Sequence, residues 1–583
     1  MGDIAVAPDC RCPAADAKGG RVVYDLVVKN ALICDGSGTP ARPGAVAVAD
    51  GRIVAVDGDV GPARETVDAG GLVLAPGIID SHTHYDAQIT WDPMVDPSPA
   101  LGVTSVVIGC CGFTIAPCKP GDRDRTLRNL THVEGMSLDA LRAGVRWDFE
   151  TYPEYLAMLE RRGVGPNIAA FIGHSSIRTW VMGDDASERA ATDAEIAAMA
   201  DIVRDGMRNG ALGFSTSTFE GHNGENGVPM PSQLADEREL RALTRAMGES
   251  GRGIFMLTKG SRTDIAFLES LAADSGRPVM VAALLHNNIQ PKRVFEELAN
   301  IGAARQRGRE VYGQVSCCPL TMEFTLKSPY LMESLPGWKP AMAAHDPEAL
   351  KRVYADPSFR AGVKDDLDNP GGKVRVFNGD WDKITVVETA NPASRGAEGR
   401  SVAALAREAG KHPLDWFLDF GLEENLETMF TSLLLNSDEE AVGRMLNDRN
   451  TSIALSDAGA HLTFFCDAGF GLHLLGHWVR DVGALSLEQA VHELTRAPAD
   501  IYRIADRGRI APGAWADMIL FDPATIGRKP SRRVFDLPAG APRLTADPVG
   551  LHGVWVNGHR VADETGVIAG DDRPGRVIRD FAA

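Results

Sequence analysis

Positive charge is what this chain most lacks: 60 Lys and Arg stand against 79 Asp and Glu, a formal net charge of -19 over 583 residues. Neutralising a nucleic-acid backbone needs clustered Lys and Arg, so a nucleic-acid partner is excluded and a small neutral or amphipathic ligand is expected. No apolar run reaches about 18 residues, which excludes a transmembrane helix and a membrane partner. The opening stretch MGDIAVAPDCRCPAADAKGG has no cationic region followed by an apolar one, and Val6 departs from the myristoylation pattern. The 34 Pro and 61 Gly are dispersed, so there is no low-complexity tract or evident linker, and no fixed-period repeat is found. Cysteines are few, nine in all, and the adjacent pairs Cys110-Cys111 and Cys317-Cys318 make poor disulfide frameworks. A reducing cytoplasm is expected.

What is present is a globular composition, 44% hydrophobic and 24% charged, in a chain long enough for more than one domain. Residues 22–75 read as short strands with Asp-Gly bends, and the alternating pattern returns in GRIAPGAWADMILFD and GVWVNGHRV, so the two ends are expected to pair. Between them apolar runs alternate with helical stretches such as DAEIAAMADIVRDGMRNG and DERELRALTRAMGESG, as in βα units around a parallel sheet. Candidate strands fall at 77–84, 103–110, 167–174, 210–217, 253–259, 278–286, 310–318 and 451–457. Eight is the number a TIM barrel needs.

The expected class is therefore α/β, a (β/α)8 TIM-like barrel with a small β-sandwich domain built from both chain ends. The expected boundaries are an N-terminal extension 1–21, small-domain parts 22–75 and 506–562, a barrel 76–505 and a tail 563–583. An insertion around 319–450 is too long for one βα loop and is expected to hold helices over the active-site mouth.

The strongest chemical signal is PGIIDSHTHYD. Strand alternation puts His82 and His84 on one face at the C-terminal end of the first barrel strand, a natural chelate for Zn²⁺ or a similar metal. The competing explanation is a pair of ordinary surface or core histidines. In TSIALSDAGAH a strand ends in Asp457, where a carboxylate can ligate a metal, take a proton from water and deliver it to a leaving amine. Alternatively Asp457 caps the next turn. In VVIGCCGF a thiolate at Cys110 or Cys111 could ligate or bridge metals, against inert packing; packing is the expectation for Cys317-Cys318.

On PGIIDSHTHYD, the GCCG turn, GHSSIR, GALGFSTS, SDAGAH and the closing RGRIAPGAWADMILFDP, the chain resembles the N-acyl-D-amino-acid deacylase (D-aminoacylase) family of the amidohydrolase superfamily, nearly end to end. The resemblance implies that His82 and His84 are metal ligands, that Cys111 matches the family's cysteine ligand and that Asp457 is the catalytic aspartate. The family also supplies a histidine from the fifth strand and another from the sixth. Here the fifth strand reads FMLTKG, and Lys259 stands where a ligand is wanted, either carboxylated, or acting electrostatically, or exposed at a strand end. His286, at the end of the sixth strand, matches the second histidine and is expected to ligate metal or polarise a carbonyl.

Other candidates carry weaker signals. His174, Tyr85, Ser217 and His461 are expected near the substrate, with structural packing as the rival role for His174 and Tyr85, and a role behind the ligands as another for His461. Asp86 and Trp91 are expected to shape the mouth, whereas His473 and His477 lack the Glu of an HExxH motif and are expected to pack or line the pocket. The resulting expectation is a cytoplasmic zinc amidohydrolase, with one or two ions and a homodimeric state, that deacylates an N-acyl (D-)amino acid. A hydrolase of cyclic amides, carbamates or esters and a non-catalytic ligand-binding barrel are the alternatives.

Overall fold

The structure is a computed structural model that describes residues 23–582, except 58–59, 134, 225–227, 328, 334, 345, 370–376, 378 and 461–466. Eight parallel strands run in sequence order around one sheet: Ile78–Asp80, Val103–Ile108, Asn167–Gly173, Gly213–Ser217, Ile254–Thr258, Val279–Leu284, Val311–Val315 and Thr451–Ile453. Each lies within one of the eight stretches expected from the sequence. The first and last meet beyond their formal ends, where Thr83 bridges Ala458 and the His84 amide donates to the Ala458 carbonyl at 2.8 Å. The sheet therefore curls into a TIM-like barrel. Its strands are buried on both faces, which is why they read as nearly continuous apolar runs.

The surrounding helices start and stop on local signals. Asp193–Arg208 opens with a capping box, in which Thr192 accepts from the Glu195 amide and the Glu195 side chain reaches back to the Thr192 amide. It buries Ile196, Met199, Ala200, Val203 and Met207, a stripe at three- and four-residue spacing laid on the barrel.

The two ends of the chain form one nine-stranded sheet. Its centre is Val73–Pro76, antiparallel to Met518–Phe521, with Tyr24–Ile33, Arg42–Ala49, Arg52–Val56 and, paired with the first of these, Ala63–Asp68 on one side and Leu551–Val556, His559–Asp563 and Gly566–Val567 on the other. Period-two alternation decides what each face buries. Leu74, Met518 and Leu520 join the sheet's own core with Leu26, Val46 and Trp555, whereas Val73, Ala75, Ile519 and Phe521 pack into the barrel core.

A polar tie joins this sheet to the barrel. Asp517 pairs with Arg507, both buried, accepts from the Asn557 amide at 2.8 Å and lies 3.2 Å from Asn167 Nδ2 on the third barrel strand. The tail then runs alongside, with the Ile168 amide donating to the Arg576 carbonyl at 2.8 Å and Ile578 donating back to Ile168 at 2.7 Å.

Between the seventh and eighth barrel strands, residues 320–435 have a core of their own. An antiparallel sheet of Leu320–Phe324, Ile384–Glu388 and Met429–Leu435 packs with helices around Leu326, Trp338, Tyr354, Phe417 and Phe430. This segment is anchored to the barrel through Asn436, described below. Among the described residues no helix is long and apolar enough to cross a membrane.

Candidate metal centre

Four donor atoms converge at the C-terminal mouth of the barrel. Past Asp80 the chain stays extended, so His82 and His84 point the same way with ring centroids 5.3 Å apart, while Thr83 turns outward and donates to the Val107 carbonyl at 2.7 Å. Cys111 arrives from the second strand through the turn Gly109-Cys110-Cys111-Gly112. Three of these residues have positive φ, Gly109 at 80°, Cys111 at 56° and Gly112 at 77°, and a Cβ on Gly112 would sit 2.9 Å from Ser215 O. This geometry separates the two thiols. Cys110 Sγ turns back to the Ser81 and Val107 carbonyls, whereas Cys111 Sγ lies 3.5 Å from His82 Nε2 and 3.9 Å from His84 Nε2.

Asp457 completes the group, with Oδ1 3.2 Å from His82 Nε2 and 3.5 Å from His84 Nε2. It is the one partly open member, its side chain 23% exposed. The capping task that Asp457 could have taken falls to Ser456, whose hydroxyl accepts from the Ala458 amide at 3.0 Å and donates to Asp80 Oδ2 at 2.5 Å. Gly459 allows the strand ends to close: at φ 89°, a Cβ there would meet the His84 carbonyl carbon at 2.7 Å and Tyr85 Cδ1 at 2.8 Å. Gly459→Ala is therefore expected to cost about 1–3 kcal/mol and to weaken metal uptake, because it pushes Asp457 and His84 apart. Thermal unfolding with and without zinc measures both effects.

The donor set fits a borderline divalent ion. Zinc–nitrogen and zinc–sulfur bonds of about 2.0–2.3 Å give tetrahedron edges of roughly 3.3–3.6 Å. The histidine nitrogens lie 3.5 and 3.9 Å from Cys111 Sγ and 3.2 and 3.5 Å from Asp457 Oδ1, and His82, His84 and Cys111 form the group whose donor atoms all fall within 4.8 Å of one another. The electrostatics agree. Burial opposes ionisation of Cys111, but His82 and His84 outweigh it and bring the thiol down to about 7. Burial likewise lowers His82, and the adjacent Cys111 and Asp457 reverse that effect and raise it.

Not every expected residue reaches this group. Lys259 directly follows the fifth strand, but its ammonium pairs with Glu297 Oε1 at 2.9 Å on the helix Arg293–Gln306. The residue that faces the centre is the one before it, Thr258, whose hydroxyl donates to Cys111 Sγ at 3.0 Å. One step along a strand reverses the side-chain direction, so the fifth strand supplies a hydrogen bond where a ligand was expected. His286 is buried at the end of the sixth strand, with Nδ1 lacking a hydrogen-bond partner among the described residues. Its backbone is clamped on both sides by Asn436, whose Oδ1 accepts from the His286 amide at 2.8 Å and whose amide donates to the His286 carbonyl at 2.9 Å.

His174 is fully buried, bonded through Nδ1 to Thr216 and through Nε2 to Glu239, each at 2.7 Å. Ser217 bonds His222 Nδ1 at 2.7 Å, and the His222 ring lies edge-on to Phe113, which neighbours His84. Tyr85 bonds Ser98 at 2.7 Å and, with Pro97, Ala460, Asp467 and Leu544, lines a pocket beside Asp457. Asp86 accepts from the Gly109 amide at 2.9 Å, and Trp91 packs against Gly144. His473 and His477 stack 4.9 Å apart outside the donor group. His461 lies outside the described residues.

Sequence reasoning overlooked Thr258, Gln314, Asp80, His222 and Glu239. Gln314 left a trace, as a single amide in the middle of the apolar strand EVYGQVSCC. It bonds His82 Nδ1 at 2.6 Å. Burial pushes the Asp80 carboxyl up to about 7 against the bonds from Ser456 and His82.

A parallel eight-stranded barrel carrying histidine, thiolate and carboxylate donors at one mouth defines a metal-dependent hydrolase. The chain belongs to the Amidohydrolase family, which it matches over residues 65–324 and 372–562. It is 29% identical over 567 residues to a D-aminoacylase of Alcaligenes xylosoxydans xylosoxydans, covering 96% of this chain and 98% of that one. It also resembles the crystal structure of an N-acyl-D-glutamate deacylase from Bordetella bronchiseptica in complex with zinc and a phosphonate that mimics the tetrahedral intermediate (27% identity, TM-score 0.65, 96% of this chain and 100% of that one). A solved D-aminoacylase, studied for its binuclear metal centre, matches at 25% identity and TM-score 0.65 over the same shares. The protein is an amidohydrolase that acts on carbon–nitrogen bonds other than peptide bonds.

Proposed function

We propose that the protein removes the acyl group from N-acyl-D-amino acids at a zinc centre held by His82, His84, Cys111 and Asp457. The observation that carries this is the meeting of the His82, His84 and Cys111 donor atoms within 4.8 Å of one another, with the partly exposed Asp457 carboxylate 3.2 and 3.5 Å from the two histidine nitrogens. When bound, the ion supplies a water ionised near neutral pH and polarises the scissile carbonyl. Asp457 takes the proton of the attacking water and returns it to the nitrogen as the carbon–nitrogen bond breaks, so the products are a carboxylic acid and a free amine. His286 bonds the substrate carbonyl oxygen or joins the ligand set, a role supported by its buried Nδ1, which has no hydrogen-bond partner among the described residues.

Substrate approaches from the side of Asp457, the partly exposed member of the group, and the segment between the seventh and eighth barrel strands borders the mouth, a reading supported by the Asn436 clamp on His286. A cytoplasmic homodimer acting on a small molecule completes the proposal. The acidic balance argues against nucleic acid. Dialysis against a chelator is expected to abolish hydrolysis of N-acetyl-D-amino acids, and one equivalent of zinc to restore it. A metal-replete protein that cleaves only the L series, hydantoins or esters would refute the substrate assignment. One that binds no metal and cleaves nothing would favour a ligand-binding barrel.

A further inference from the structure

Two polar side chains behind the metal centre, Gln314 and Tyr502, are bonded to one another and to the first strand at Ser81 and His82. Gln314 sits in the middle of the seventh barrel strand, fully buried, and Tyr502 follows the helix Arg496–Ile501 near the far end of the barrel domain. Gln314 Oε1 lies 2.6 Å from His82 Nδ1, and Gln314 Nε2 lies 3.3 Å from each of Ser81 O, Ser81 Oγ and the Tyr502 hydroxyl.

The orientation of this amide is settled by its neighbours. A peptide carbonyl can only accept, so the nitrogen end of Gln314 must face Ser81 O. The oxygen end then faces His82, and an amide oxygen can only accept. His82 must therefore carry its proton on Nδ1, which leaves a lone pair on Nε2, the atom that meets Cys111 Sγ and Asp457 Oδ1. With the other tautomer, an N–H would point into the donor group and a bare Nδ1 would face an amide oxygen.

We propose that Gln314 is a positioning residue that holds His82 in its metal-binding tautomer, with Tyr502 pinning the amide from behind. The inference rests on the assignment of His82 as a ligand. Gln314 is bonded through its nitrogen to the backbone of Ser81, the residue next to that ligand, so one side chain sets both the ring's protonation and its approach.

The test is zinc affinity, measured by competition with a chromophoric chelator on the full chain, together with the melting temperature of each variant with and without zinc. Gln314→Leu removes the acceptor and is expected to weaken zinc binding about 10- to 100-fold. The zinc-dependent increment in melting temperature should shrink in proportion, an effect that a packing role would not produce. Gln314→Glu keeps an oxygen toward Nδ1 and, protonated, a donor toward Ser81 O; it is expected to restore binding to within a few-fold of wild type. Tyr502→Phe, which leaves the acceptor in place, is expected to lose less than Gln314→Leu.

Zinc binding by Gln314→Leu within twofold of wild type, or a Gln314→Glu protein as weak as Gln314→Leu, would overturn the proposal. Should Gln314→Leu fail to fold, Gln314→Glu decides it against wild type: binding within a few-fold supports the proposal, and binding weakened about 10-fold or more overturns it. A wild-type chain that binds no zinc would instead overturn the metal centre itself, so the two failures are distinguishable.

Discussion

Asp457→Asn is expected to lower kcat/KM for the best N-acyl-D-amino acid by about 10²- to 10⁴-fold, the range that a positioned proton carrier supplies. The amide keeps the shape of the side chain and one oxygen donor toward the ion, so the fold and at least part of the metal affinity should survive. What it loses is the capacity to take a proton from water and pass it to the leaving nitrogen. The left-handed backbone at Asp457, φ 47°, is tolerated by asparagine as readily as by aspartate, which keeps the comparison clean. Steady-state kinetics beside a circular-dichroism melt and a metal assay would check it. Wild-type turnover in the variant would remove Asp457 from the mechanism.

The largest expected effect on stability lies at Glu239. Its side chain is fully buried between His174 Nε2 at 2.7 Å and the guanidinium of Arg178, itself fully buried. Glu239→Ala leaves that guanidinium without its counter-charge, a loss of about 3–5 kcal/mol in comparable buried pairs. The midpoint of urea unfolding should fall accordingly, and a drop of under about 1 kcal/mol would mean that water reaches the cluster.

The same cluster gives a pH dependence whose sign can be worked out. Burial pushes the Glu239 carboxyl up, but His174 and Arg178 outweigh it and hold it below its ordinary 4.5. A depressed carboxyl stabilises the folded state above its unfolded value and loses that contribution as the pH falls through its folded value. His174 is held below its ordinary 6.5 by burial, which outweighs Glu239, so the unfolded chain takes up a proton that the folded chain refuses. His174 therefore makes the protein less stable as the pH drops below about 6.5, Glu239 adds to the loss below about 4.5, and Glu239→Gln should flatten that more acidic part of the decline.

Much of the architecture was legible in the sequence, because two periodicities carry it. Alternation along PGIIDSHTHYD put His82 and His84 on one face before any contact was known, and the structure has their rings side by side. The eight apolar runs contain the eight barrel strands because a strand buried on both faces carries few charged positions to interrupt it. The pairing of the chain ends was readable for a similar reason, as the same alternation appears at 22–75 and after 506. Other residues were hidden by how their elements end. Glu239 lies on an outer helix, Glu237–Gly248, where glutamate is ordinary, and only the helix docking shows that it points inward at His174.

The sequence by itself determined the barrel, the shared face of the first-strand histidines and the aspartate at the last strand end, since these follow from local spacing and burial. The tertiary structure alone decided which of two neighbours faces the centre: Cys111 over Cys110, through a left-handed turn, and Thr258 over Lys259, through a single step of strand register. It alone brought Gln314 beneath His82 across 232 residues of chain. The reason is physical. Alternation fixes relative direction along one segment, but where a strand stops, and what another segment places opposite it, depends on packing between elements distant in sequence.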